Sequence, residues 1–100
     1  MAYNVKPEPR VLKYVKKIKN GELKKLFTTA IYEDIANDPE IGEEKVGDLA
    51  GYRVLGFKYA DTSYRVAYII TEDVIVVVIL AGPHENFYRD LKSINRKSKS

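Results

Sequence analysis

The 100-residue chain has no cysteine and a single histidine. Without cysteine there is no disulfide and no thiolate nucleophile, so triads built on that residue are excluded. A metal site would have to be assembled from one imidazole and carboxylates, and neither a metal nor another cofactor is expected. Long apolar runs are missing too: the longest, Val74 to Ala81, falls far short of the roughly 20 residues that a membrane helix needs. The N-terminal stretch MAYNVKPEPR lacks the apolar segment of a secretory signal, so a soluble, cytoplasmic protein without membrane contact is expected. Nucleotide-loop, dinucleotide, zinc-protease and serine-hydrolase readings have no foothold, because none of G-x-x-x-x-G-K, G-x-G-x-x-G, H-E-x-x-H or G-x-S-x-G occurs. Internal repeats and low-complexity tracts are absent as well.

What is present is ordinary for a folded protein, with 45% hydrophobic and 31% charged residues. A chain of this length buries roughly two-thirds of the surface its unfolded form exposes, enough for one core of two layers. Residues 1–100 therefore read as a single domain. Net charge is only +3, but the charges are segregated. Lys16, Lys17, Lys19, Lys24 and Lys25 crowd the first quarter, Glu33 to Asp48 is acidic, and Arg89 to Lys99 is basic apart from Asp90. Such sidedness suits a surface that takes phosphates or an acidic partner, whereas each lysine taken singly reads as part of a solvated face.

The element pattern starts with a short strand, Tyr3 to Val5, stopped by the prolines at 7 and 9. Val11, Leu12, Val15 and Ile18 recur at helical spacing over Pro9 to Lys19. Asn20-Gly21 reverses the chain, glycine tolerating positive φ, and Leu23, Leu26, Phe27, Ala30, Ile31 and Ile35 carry a second helix to Asp38-Pro39. That pair is an αα-hairpin. Glu40 to Asp48 reads as a loop with room for one strand-like stretch, anchored by Val46 and Leu49. Three strands follow, Gly51 to Tyr59, Ser63 to Thr71 and Val74 to Ala81, parted by Ala60-Asp61-Thr62 and Glu72-Asp73. In the second, Tyr64, Val66, Tyr68 and Ile70 share one face and Arg65, Ala67 and Ile69 the other; the third is apolar on both faces, as a central strand would be. After Gly82-Pro83 a short helix carries Phe87, Tyr88, Leu91 and Ile94, and Asn95 to Ser100 reads as a frayed basic tail. The order β-α-α-β-β-β-α predicts an α+β fold, a twisted antiparallel sheet with the hairpin packed on it.

Chemistry concentrates at the end of the third strand. The Gly82-Pro83 break brings His84 to the sheet edge, where imidazole can exchange protons near neutral pH; a merely exposed histidine is the plainer reading. Arg65, mid-strand beside small Ala67, is either the partner of a carboxylate or a phosphate ligand. Tyr88 lies four residues after His84, so a helix beginning near 84 would project both from similar faces, unless Tyr88 is core. Lys58 and Arg53 add charge on the first strand of the meander. Tyr64 and Tyr68 look like core, which leaves Tyr52, Tyr59 and Tyr88 to stack bases.

These residues and the element order resemble the RelE/ParE superfamily of bacterial toxins from type II toxin–antitoxin modules. The resemblance spans nearly the whole chain and rests on Ile35-Ala36-Asn37-Asp38-Pro39 at the helix end, Gly47-Asp48-Leu49-Ala50-Gly51-Tyr52-Arg53 as connector, the strand Ser63-Tyr64-Arg65-Val66-Ala67-Tyr68, and Gly82-x-His84-Glu85-Asn86-Phe87-Tyr88. RelE-like members cut messenger RNA, usually on the ribosome, whereas ParE-like members poison DNA gyrase. The resemblance implies a metal-free endoribonuclease, an mRNA interferase of the RelE/YafQ-like branch held by a cognate antitoxin. Arg65 would hold the scissile phosphate, His84 would be the general acid, and Tyr88 and Lys58 would contact substrate. Glu85 is a candidate base, and Arg53 and Tyr59 are candidate RNA contacts. The second strand lysine of RelE falls on Gly56 here. Two other readings stay open: a gyrase inhibitor, and a binding module that kept the fold and lost the chemistry.

Overall fold

The computed structural model describes residues 3–72 and 75–99. Asp73, Val74 and Ser100, on which the second turn, the start of the third meander strand and the end of the tail were expected to fall, lie outside the described residues. In chain order the elements are β1 (Asn4–Pro7), α1 (Pro9–Lys17), α2 (Gly21–Thr29), β2 (Glu43–Glu44), β3 (Arg53–Tyr59), β4 (Thr62–Glu72), β5 (Ile75–Pro83) and α3 (Phe87–Lys99). A π-helical stretch, Ala30–Ile35, prolongs α2, and short 3-10 turns flank β2. The five-stranded sheet is ordered β1-β5-β4-β3-β2.

The α+β architecture is the expected one, with two differences. β1 runs parallel to β5, so the sheet is mixed rather than wholly antiparallel, and Pro7 closes β1 as an edge residue instead of stopping it. The strand-like stretch of the acidic loop is real and short, Glu43 and Glu44 pairing with Val54 and Arg53.

Local chemistry explains the helices. Pro9 sits in the first turn of α1 and Lys16 and Lys17 in its last, both favourable positions. The reversal after α1 differs from expectation: the Asn20 Oδ1 accepts from Glu22 N at 3.0 Å and Leu23 N at 3.1 Å, an N-cap, and Gly21 takes no positive φ. Left-handed backbone appears instead at Ala60 (φ 49°) and Asp61 (φ 65°), the tight turn of the β3–β4 hairpin.

Each face of the sheet has its own core. On one, Val11, Leu23, Phe27, Ile31 and Ile35 of the hairpin pack on Val66, Tyr68, Val76 and Val78. Phe27 meets Phe57 edge-on at 5.0 Å. On the other, Leu49, Phe87 and Leu91 cover Tyr52, Val54, Ala67 and Ile79. The alternation of β4 is as read from the sequence. That of β5 is not regular: Ala67 pairs with Leu80 but Tyr68 with Val78, so Ile79 is an extra residue, a β-bulge. Before it, Val76 and Val78 face the hairpin; after it, Ala81 does, and Leu80 and Gly82 turn to the α3 side. Arg10 satisfies the bulge by donating from Nη1 to Ile79 O at 3.0 Å.

Two expected features are corrected. Val46 is 85% exposed and anchors nothing, leaving Leu49 alone in that role. The tail is not frayed from Asn95: α3 continues to Lys99, and the Asn95 amide donates to Asp48 O at 2.9 Å while its Oδ1 accepts from the Tyr52 hydroxyl at 3.3 Å.

The loop before β2 hangs on one phenol. Tyr68, fully buried, accepts from Gly42 N at 2.9 Å and donates to Pro39 O. Replacing Tyr68 by Phe leaves both backbone groups unpaired and is expected to cost about 1–3 kcal/mol in urea unfolding, with the native fold retained.

Candidate functional site

α3 covers only part of its face of the sheet, and the open part is built around Arg65. This residue pairs with Gly56 on β3 and Gly82 on β5, so it stands between two positions that carry no side chain. Lys58 pairs with Ser63, in the next row of the same face. The β4–β5 ladder continues one step beyond β5, His84 N donating to Ser63 O at 2.8 Å. Lys58, Ser63 and His84 therefore form a row beside Gly56, Arg65 and Gly82, about 7 Å away along the strands. Because of the bulge at Ile79, His84 falls on this face by register; an unbroken alternation would put it with Val76 and Val78. His84 is exposed and Arg65 half-buried.

Tyr88, in the first turn of α3, is the platform. The Arg65 guanidinium lies 5.2 Å from its ring centroid and the Lys45 ammonium 5.0 Å. Two cations on one quadrupole are mutually repelled, and Glu43 relieves this by pairing with Lys45. The pairing shifts both partners: the hydrogen bond and charge of Lys45 hold the Glu43 carboxyl below its usual value, and the hydrogen bond to Glu43, then that to Tyr88, hold the Lys45 amine above its own. Glu43, Lys45, Gly56, Arg65 and Tyr88 line an open cavity of about 330 Å³. An anion entering it would meet a fixed guanidinium and a protonated amine with an aromatic face beside them.

Other candidates lie elsewhere. Glu85 lines a separate cavity with Arg10, Tyr14 and Asp90. Tyr59 belongs to the hairpin face, its hydroxyl 3.2 Å from Asn20 Oδ1 and 3.3 Å from Glu22 Oε2. The Arg53 guanidinium clasps the loop before β2, donating to Gly42 O at 2.9 Å and Glu40 O at 3.3 Å with Glu44 beside it. Tyr52, expected to be available, is 8% exposed and packs in the α3 core. His84 and Tyr88 do not share a helix face, since α3 starts at Phe87 after Asn86 in left-handed conformation (φ 61°); Tyr88 meets Arg65 instead. Sequence reasoning missed Lys45 and Glu43. The available signal was that Lys45 is the lone cation in the acidic run from Glu33 to Asp48.

On the opposite side, between α1 and α2, runs a groove of about 360 Å³ floored by Val11, Leu12, Val15, Ile31 and Tyr32 and edged by Lys16 and Lys24. Leu12 is 51% and Tyr32 48% exposed there. Among the described residues no helix is long and apolar enough to cross a membrane, and no three acidic or histidine side chains are grouped as metal ligands would be.

A family model for ParE-like toxins of type II bacterial toxin–antitoxin systems matches residues 5–92. The chain belongs to that family. Solved structures agree on the fold of this ParE-like toxin. It is similar to a mutant of the Escherichia coli toxin RelE in the free state, with TM-score 0.72, 23% identity, and 96% of this chain and 98% of that one covered. The Mycobacterium tuberculosis toxin–antitoxin complex RelBE2 matches with TM-score 0.66 and 19% identity over 84% of this chain and 100% of the other. A mutant E. coli RelE solved with an antitoxin RelBc peptide matches with TM-score 0.64 and 23% identity, covering 91% and 95%. No curated protein matches the toxin in sequence.

The Glu43–Lys45 pair gives a direct test of the geometry. With Glu43 lowered from 4.5 and Lys45 raised from 10.5, the pair is fully charged between those values. Its contribution is lost as pH falls through the lowered Glu43 value and as pH rises through the raised Lys45 value. Glu43→Gln should bring the Lys45 titration, followed by NMR at its ε-methylene, back down toward 10.5.

Proposed function

We propose that this ParE-like toxin is an endoribonuclease that cuts messenger RNA in the cytoplasm by acid–base attack of a ribose 2′-hydroxyl, without a metal, and is held in check by a cognate antitoxin. The observation that carries the reading is the placement of Arg65: an arginine mid-strand between two glycines, braced by Tyr88 on an open face, with His84 in the adjacent row. Attack of the 2′ oxygen on the neighbouring phosphorus forms one P–O bond and breaks the bond to the 5′ oxygen. The products are a 2′,3′-cyclic phosphate and a 5′-hydroxyl. The 2′-hydroxyl proton must go to a base, the departing oxygen must receive one, and the pentacoordinate phosphate needs cations.

Arg65 and Lys45 fit the cationic role, and His84, with access to solvent, fits that of acid. Lys58 and the Tyr88 face fit contacts to the strand on either side of the phosphate. Glu85, in its separate cavity, is poorly placed as base, and Glu43, the carboxylate on the Arg65 cavity, fits that role better. Arg53 and Tyr59, engaged elsewhere, are left out of the contact set.

The antitoxin follows from the relatives, which were solved with theirs. The groove between α1 and α2, apolar within and edged by lysine, suits an acidic amphipathic helix. The family model, being ParE-like, favours a second reading: inhibition of DNA gyrase, in which His84 has no part.

Expression of wild type, His84→Ala and Arg65→Gln, with growth and transcript integrity followed together, separates the readings. Nuclease action predicts cut transcripts for wild type and a rate lower by about 10²- to 10⁴-fold for His84→Ala, with thermal unfolding unchanged. Growth arrest with whole transcripts and blocked supercoiling would establish the gyrase reading, and no arrest at all a binding module. Leu12→Asp, at a half-exposed site, should leave stability within about 0.5 kcal/mol and weaken antitoxin binding by about tenfold or more.

A further inference from the structure

The geometry points to a second phosphate-binding surface on this chain, a basic track along α3 that takes the RNA backbone to one side of the cleavage site; it rests on the nuclease reading above. Arg89, Lys92 and Arg96 recur at i, i+3 and i+7, so they form one stripe on α3, and all three are exposed. The stripe spans about 10 Å of helix. It begins one residue after Tyr88 and touches the site: Lys92 lines a cavity of about 400 Å³ shared with Lys45 and Tyr88, whose loop wall carries Glu43, Glu44 and Asp48. A further cavity of about 300 Å³ is lined by all three cations together with Asp48 and Asn95.

Charge segregation on α3 supports the assignment. Asp90, the one acid in the described part of the helix, lies on the other flank, lining a cavity with Glu85 and Arg10. Its contact with Arg89 is long, 3.7 Å between two exposed groups. No carboxylate among the described residues pairs with Lys92 or Arg96 at ion-pair distance. The helix is held in place beneath the stripe by Leu91 in the core and by the Asn95 bond to Asp48 O, so the cations are carried on a fixed rod. Three regularly spaced cations continuous with a phosphate-sized cavity match the backbone of one strand. Asp48 in the floor opposes any anion that approaches from the loop side, which directs the strand along the outer face of the helix. The site then needs a strand of several nucleotides; a dinucleotide fills only the Arg65 cavity.

The test compares wild type with the triple variant Arg89→Gln, Lys92→Gln, Arg96→Gln. Binding of a 2′-O-methyl RNA strand, which cannot be cut, is measured against salt, alongside cleavage of a long transcript and of a dinucleotide. The track predicts that the slope of log affinity against log salt becomes shallower by about 2, close to 0.7 for each phosphate that is no longer neutralised. It also predicts slower cleavage of long RNA at low substrate, with the dinucleotide rate and the thermal midpoint unchanged. An unmoved slope overturns the track, as does an equal loss on both substrates, which would put these cations in the chemistry itself. A wild type that neither binds nor cuts RNA overturns the nuclease reading, and the track with it.

Discussion

One extra residue in β5 decides what the open face of this protein presents. A strand alternates with period two, so inserting Ile79 into the ladder exchanges the faces of everything that follows. Leu80 can then join the α3 core, Ala81 returns to the hairpin core, Gly82 stands beside Arg65, and His84 comes to the same side. The cost of a bulge is an unpaired backbone group, and here Arg10, from the first turn of α1, supplies the missing donor. The hairpin on one face thus fixes the arrangement of side chains on the other.

The other organising element is the Tyr88 ring. It lies in the first turn of α3, is braced edge-on by Phe87 at 5.6 Å, and receives cations from β4 and from the loop after β2. Three parts of the chain far apart in sequence are joined through one aromatic face. Arg65 is held by a ring instead of a carboxylate, so its hydrogen-bonding capacity stays available to an anion. Glu43 neutralises Lys45 from the outside and leaves Arg65 without a direct ion pair among the described residues.

Much of the fold was legible because its hydrophobic periods are clean. The αα-hairpin, the meander and the terminal helix follow from period 3.6 giving way to period two and back, and β4 shows each face as read. The failures share a cause. Parallel pairing of β1 with β5, the bulge at Ile79 and the cap by Asn20 are decided by partners distant in sequence or by a single hydrogen bond, which local pattern does not encode. Of the site, the sequence pattern paired Tyr88 with His84 on one helix face, whereas the Tyr88 ring meets the Arg65 guanidinium, a contact that no local pattern announced. Glu85 falls apart from Arg65, in a cavity with Arg10, where Asn86 in left-handed conformation delays the start of α3. Lys45 escaped notice because its loop reads as an acidic connector, and only the fold carries it to α3.

The parallel partnership of the first strand with the last has an effect during synthesis. A ribosome releases β1 long before β5, so the sheet cannot close until the strands between them have also emerged. Gly82, His84 and Tyr88 appear later still, whereas the two helices that form the lysine-edged groove are made well ahead of them. A nascent chain therefore exposes the apolar hairpin before it owns a complete cationic face. Premature termination before Tyr88 would leave fragments unable to assemble that face.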